Sequence, residues 1–193
     1  MTFIIETERL VLRVWTAEDA SALYTLASDP EVMRYVDDGK PWTDPARARE
    51  FVGRIAECWR VNGYGRWAVV ERDGGRVVGS CGFGPLAETG EIDFGYIFAR
   101  DCWGRGYATE AARAALREGF ERLGLKEVVA NTVPENTASR RVLEKLGFEH
   151  RGLKTYAGED GGTLASYILR RADFDTRGAR RDARTLKSDA GQV

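Results

Sequence analysis

The chain has one histidine, His150, and only three cysteines, Cys58, Cys81 and Cys102, in 193 residues. An odd cysteine count without metal-type spacing argues against a disulfide framework and against a zinc site. His150 follows a helix terminus and reads as a surface or hairpin residue. No apolar run approaches the ~20 residues needed to span a bilayer. Met1 to Glu6 lacks the basic region and apolar core of a signal peptide. Neither sign of charge is in excess: 29 Lys and Arg against 30 Asp and Glu leave a formal net charge of -1. That balance gives no general pull toward nucleic acid or an anionic membrane. The phosphate-binding Walker run, Gly-x-x-x-x-Gly-Lys followed by Ser or Thr, is missing. A dinucleotide fingerprint appears nominally at Gly82-Phe83-Gly84-Pro85-Leu86-Ala87, but Pro85 and Glu88-Thr89-Gly90 start no helix, so this stretch reads as a turn. The expectation is a cytoplasmic protein with no metal, no nucleic-acid partner and no membrane partner.

What is present is a globular composition, 43% hydrophobic and 31% charged, of a size that builds one substantial core. Residues 1–175 read as one domain and 176–193 as a polar, basic tail without periodicity. Residues 7–14 alternate as an edge strand. Thr16 and Asp19 cap a helix bearing Ala20, Leu23, Tyr24 and Ala27 on one face. Thr43 or Asp44 caps another, with Pro45 in its first turn and Phe51, Val52, Ile55 and Trp59 on its apolar side. Arg66–Glu71 and Arg76–Phe83 read as strands joined through Asp73-Gly74-Gly75. Further strands are expected at 91–98 and 126–133, and a last hairpin pairs 149–156 with 163–169 across 158–162. Trp42, Trp59, Tyr64 and Trp67 can be read either as core or as the lining of a substrate cleft.

The densest signal lies at Trp103-Gly104-Arg105-Gly106-Tyr107-Ala108-Thr109-Glu110-Ala111. It separates the strand ending near Phe98 from a helix with small or apolar residues at 108, 111, 112, 115, 116, 119, 120 and 123. Glycines at the mouth of a helix let a ligand approach the backbone and leave the first-turn amides open. With the positive helix end behind them, those amides form a site for an anion such as phosphate.

This run resembles the acyl-CoA loop of the GNAT superfamily, whose pattern is Gln or Arg, two residues, Gly, one residue, then Gly or Ala. Trp103 stands where many members have Gln or Arg, as is common in the branch that acetylates ribosomal-protein N-termini (the Rim-type branch). Asn136 to Phe148 is similar to the superfamily helix that opens on Asn and closes on Gly-Phe. Thr7 to Arg13 and Asp29 to Tyr35 resemble the opening segments of the Rim-type branch. The resemblance implies an α/β fold with a mixed, mostly antiparallel central sheet flanked by helices, whose central strands, here 91–98 and 126–133, splay apart. It also implies acetyl-CoA as cosubstrate and a primary amine as acceptor, in a monomer or homodimer. Amides of Arg105, Gly106, Tyr107, Ala108 and Thr109 would wrap the pyrophosphate, with the Arg105 side chain adding charge or facing solvent. The strand end at Phe98 would pair with the pantetheine amides, and the Asn136 side chain would lie beside pantetheine or substrate, besides capping its helix.

The acceptor must be neutral when it attacks. Deprotonating a lysine (pKa ~10.4) at pH 7 costs about 4.6 kcal/mol, against about 1 for an α-amine near ~7.8. A protein N-terminus therefore needs only a weak base, and Glu91 and Asp93 are the candidates; Asp93 aligns with a frequent Glu of the branch. Many GNAT enzymes place a Tyr seven residues after the helix-opening Asn to protonate the leaving thiolate. Leu143 stands there in this chain. Ser139, one turn into the helix, or a water is the substitute, unless no acid is needed. The expected function is acetyl transfer to a protein N-terminus by direct attack; the alternatives are a small-molecule amine acceptor, or an acyl-CoA-binding sensor without catalysis.

Overall fold

Capping residues set the helix ends. Asp44 accepts from the Ala46 amide ahead of α3 (Pro45–Asn62), which stops at Gly63 with φ 71°. Asn136 accepts from the Ser139 amide to open α5 (Thr137–Leu146), which stops at Gly147 with φ 101°. The structure, a computed structural model, describes residues 4–86, 89–155 and 162–174. The turn at 158–161 and the tail from 176 lie outside the described residues, as does Ala87.

The strands β1 (Ile5–Glu6), β2 (Leu10–Arg13), β3 (Arg66–Glu71), β4 (Val77–Pro85), β5 (Ile92–Phe98), β6 (Glu127–Thr132), β7 (Glu149–Thr155) and β8 (Thr163–Arg170) form one sheet of eight, in the order β1-β2-β3-β4-β5-β6-β8-β7. Every pair is antiparallel except β5 with β6. Those two run parallel and pair only at Asp93 with Val129, so the sheet forks there. Helices α1 (Ala20–Ala27) and α3 pack on each other, with the short α2 (Pro30–Met33) beside α1. Helix α4 (Tyr107–Glu121) lies over β2, β4 and β5 and touches α5. Among the described residues no helix is long and apolar enough to cross a membrane.

The core is a run of aromatic rings: Trp59 on Trp67, Trp67 on Phe83, Phe83 on Phe94 and Phe94 on Phe148, with centroids 4.9 to 5.9 Å apart. Full burial of each such ring contributes ~1.5–3 kcal/mol. Gly119 seats α4 on this layer, since a Cβ there would stand 2.5 Å from the Phe83 ring. Trp42, Trp59 and Trp67 are buried and Tyr64 half-buried, all within or against this core.

Two readings are corrected. Residues 7–14 are not one strand, because Thr7 to Arg9 turn the corner between β1 and β2, with the Thr7 amide donating to the Leu10 carbonyl at 2.9 Å. Gly82 to Pro85 are strand rather than turn, paired with Gly95 back to Ile92. The turn follows at Leu86, whose amide donates to the Glu91 carbonyl at 2.9 Å.

Candidate active site at the fork of the sheet

Gly104 and Gly106 both take left-handed backbone, φ 73° and 82°. Space is not what requires glycine: a Cβ at Gly104 would meet nothing within 4 Å, and at Gly106 only Arg9 Nη2 at 3.5 Å. The dihedral is the constraint, worth ~1–2 kcal/mol against any residue with a Cβ. Gly106 caps α4 without a side chain. The Glu110 amide is bonded to the Gly106 carbonyl at 3.0 Å, so the amides of Tyr107, Ala108 and Thr109 before it have no partner within the helix.

A clamp holds this loop. The Thr7 hydroxyl and the Arg9 amide donate to Glu110 Oε1 at 2.7 and 3.0 Å, and Arg9 Nε donates to Oε2 at 2.7 Å. Arg9 Nη1 also donates to the Arg105 carbonyl at 2.8 Å. Burial pushes the Glu110 carboxyl up, but Thr7 and Arg9 together hold it below its ordinary range. The Arg105 guanidinium is tied to the Tyr107 hydroxyl at 2.8 Å and to Glu71 at 3.4 Å. It does not stand free for a phosphate; the backbone of the loop is what remains open. Tyr107 itself is buried, and its hydroxyl donates to Glu71 at 3.1 Å.

The open side of β5 begins at this loop. The Ala99 amide donates to the Val78 carbonyl of β4 at 2.9 Å. Alternation along an antiparallel ladder then turns the amides and carbonyls of Phe94, Tyr96 and Phe98 toward β6. Beyond Asp93 no β6 residue pairs with them. The Phe98 carbonyl is taken by Trp103 Nε1 at 2.9 Å, which leaves the Phe98 amide and the Tyr96 groups on the free edge. They border a cleft of about 320 Å3 reached by Trp103 and Gly104 of the loop, Ala108 of α4, Asn136 and Ser139 of α5, and Glu31 and Tyr35 of the α2 segment. The α2 segment thus lines the cleft, and Trp42, Trp59 and Trp67 do not.

Polar groups reach the fork from both faces. Side chains of 94, 96 and 98 share one face of β5 and those of 93, 95 and 97 the other. On the first, the Tyr96 hydroxyl lies 3.0 Å from Ser139 Oγ and donates to the Ser139 carbonyl at 3.2 Å. On the second, Asp93 sits at the closed end of the fork. The Arg66 guanidinium reaches it from β3, Nη2 to Oδ2 at 3.3 Å, across Gly82 and over Gly95, where a Cβ would stand 2.8 Å from Nη2. Burial pushes the Asp93 carboxyl above its ordinary range; Arg66 and a hydrogen bond with Asn131 oppose this without cancelling it. Glu91 is placed differently. It bonds Arg151 at 2.8 Å and faces Lys154 at 3.5 Å, both on β7, and Arg151 above all holds its carboxyl below the ordinary range. Leu143 is buried in the core. His150 is exposed, its ring against Tyr167. Among the described residues no three His, Cys, Asp or Glu are grouped to hold a metal.

The structure therefore brings the glycine loop, Phe98, Asn136 and Ser139 to one cleft and Asp93 to the closed end of the fork, and directs Glu91 and the Arg105 side chain elsewhere. Tyr96 and Arg66 carry no local signal in the sequence; each meets its partner only through sheet register.

Comparison with known proteins decides the class. The family model described as an acetyltransferase (GNAT) domain matches residues 9–149. The chain belongs to the GNAT acetyltransferase family. A Bacillus licheniformis relative named uncharacterized N-acetyltransferase p20 is 36% identical over 165 residues, covering 84% of this chain and 92% of that protein. The crystal structure of a GNAT-family acetyltransferase from Bacillus anthracis superposes with TM-score 0.75 at 28% identity, covering 88% of this chain and 99% of that one. A Vibrio cholerae structure assigned as a ribosomal-protein-serine acetyltransferase gives TM-score 0.74 at 24% identity, covering 87% and 97%, a likeness of fold. This GNAT protein is thus an acetyl-CoA-dependent acetyltransferase. The residues present fit that cosubstrate, because the open amides of 107–109 suit a diphosphate and the free edge of β5 suits an amide-bearing arm.

Proposed function

We propose that this enzyme transfers the acetyl group to the free α-amine of a protein N-terminus. The observation that carries the reading is the single weak base at the fork. Asp93, its carboxyl raised by burial and partnered by Arg66, suits an amine that is already partly neutral near pH 7, and suits a lysine side chain poorly. In this reading the amides of Tyr107, Ala108 and Thr109 hold the pyrophosphate and the edge of β5 aligns the pantetheine arm. Asp93 takes a proton from the incoming amine through water, and the Ser139 hydroxyl donates toward the departing sulfur from the opposite face. Glu91, committed to Arg151 and Lys154, ties the chain just ahead of β5 to β7. The ribosomal-protein-serine activity assigned to the Vibrio cholerae neighbour and the motifs at Thr7 and Asp29 support the same acceptor class.

Thiol release from acetyl-CoA tests this against peptides with free Ala or Ser termini, lysine peptides with blocked termini, aminoglycosides and polyamines. Free-terminus peptides should turn over about 400-fold faster than blocked lysine peptides, which is the difference in deprotonation cost. Turnover on a polyamine or aminoglycoside with none on peptides would reassign the enzyme to small-molecule acetylation. Silence across the panel with CoA binding intact would point to the binding of acyl-CoA as the function.

A further inference from the structure

The helix position at which many GNAT enzymes carry a tyrosine is Leu143, buried at 2% exposure, yet a phenol does reach the cleft. It comes from the strand: Tyr96 on β5 touches Ser139 on α5 through two contacts, to Oγ at 3.0 Å and to the carbonyl at 3.2 Å. Both residues line the cleft, and the cap of Asn136 on the Ser139 amide at 3.0 Å fixes the serine backbone beside it. A phenol carries one hydrogen, so the contacts describe two arrangements. With the phenol donating to the Ser139 carbonyl, the serine hydrogen is turned back onto the phenol oxygen. With the phenol donating to Oγ, the serine hydrogen is free to point into the cleft. Burial pushes the Tyr96 hydroxyl well above its ordinary range, which keeps it a donor at every working pH.

We infer that Tyr96 is a positioning residue that aims the Ser139 hydroxyl at the departing sulfur. This rests on the reading of Ser139 given above. As the carbonyl carbon forms its bond to the amine nitrogen and breaks its bond to sulfur, the amine proton leaves toward Asp93 and water. The sulfur takes the hydrogen of Ser139 Oγ, and a solvent proton restores the serine. Tyr96 keeps its own hydrogen throughout.

The test is Tyr96→Phe, Ser139→Ala and the double variant, with kcat and KM measured on whichever acceptor turns over, CoA affinity by calorimetry, and melting temperature. Expected are a fall in kcat of about tenfold or more for Ser139→Ala and about fivefold or more for Tyr96→Phe. The double variant should be no slower than Ser139→Ala alone, because the two act as a unit, and CoA affinity should stay within about twofold. Effects that multiply in the double variant would overturn the inference, since Tyr96 would then act on its own. So would a slow Tyr96→Phe beside a fully active Ser139→Ala. A fully active Tyr96→Phe beside a slow Ser139→Ala would sink the role of Tyr96 alone and leave that of Ser139 standing. A loss confined to CoA affinity and melting temperature would make Tyr96 structural and overturn the inference.

Discussion

Asp93→Asn lowers turnover by ~10²–10⁴, the range lost with a general base, and leaves the fold intact. Asparagine keeps the shape of Asp93 and a hydrogen-bonding group for Asn131, but it cannot take a proton. Stability should not suffer where Asp93 is ionised, and the sign follows from the direction of the carboxyl's shift. A carboxyl raised in the folded state favours folding while protonated, and that contribution is lost as pH rises through the folded value. Above that value the ionised Asp93 is therefore a cost that asparagine does not carry. The same direction sets the pH dependence of kcat. The rate should rise with pH as Asp93 loses its proton, above the ordinary carboxylate range because burial outweighs Arg66. Arg66→Gln removes the opposing charge and should move this rising limb to still higher pH. Turnover of Asp93→Asn within about fivefold of wild type would remove Asp93 as base, and an unmoved limb in Arg66→Gln would assign the limb to another group.

Gly106→Val should weaken CoA binding at least tenfold, or ~1.4 kcal/mol, measured by calorimetry on the folded variant. A β-branched residue is poorly tolerated at φ 82°, and relaxing that dihedral rotates the first-turn amides away from a common centre. A loss of stability alone would not establish this, so the comparison is Gly124→Ala. Gly124 also holds a left-handed dihedral, φ 71°, with open space around it, but it lies beyond the far end of α4. Gly124→Ala should cost a comparable ~1–2 kcal/mol of backbone strain and leave CoA affinity unchanged. Equal affinity in Gly106→Val and wild type would mean that these amides do not hold the phosphates.

Local chemistry was readable wherever one residue acts on its near neighbours. Asp44 with Pro45, Asn136 with Ser139, Gly147 and the paired Gly104 and Gly106 all act within a turn, and each stands where the chain pattern places it. The alternation at 7–14 misled because Thr7 and Arg9 point their polar groups at a distant carboxylate, which bends the chain between β1 and β2. The Gly82 stretch misled because Gly82 lets β3 approach closely, a Cβ there standing 2.4 Å from the Gly65 carbonyl oxygen, a reason invisible without knowing which strand lies opposite. Tyr96 with Ser139 and Arg66 with Asp93 are 43 and 27 residues apart. Such pairs depend on register, and one residue of slip would send either side chain to the wrong face. The two carboxylates one residue apart from neutral Ile92 looked equivalent; what separates them is Arg151, met only when β7 folds back.

The grip of Thr7 and Arg9 on Glu110 spans 103 and 101 residues of chain. Contacts of that separation form late, because a long loop must close before they contribute anything. The cosubstrate loop therefore takes its working shape only when the chain's beginning has returned to its middle, and competence to hold CoA coincides with completed folding. In hydrogen exchange, the first turn of α4 should open together with the β1–β2 corner rather than fray by itself.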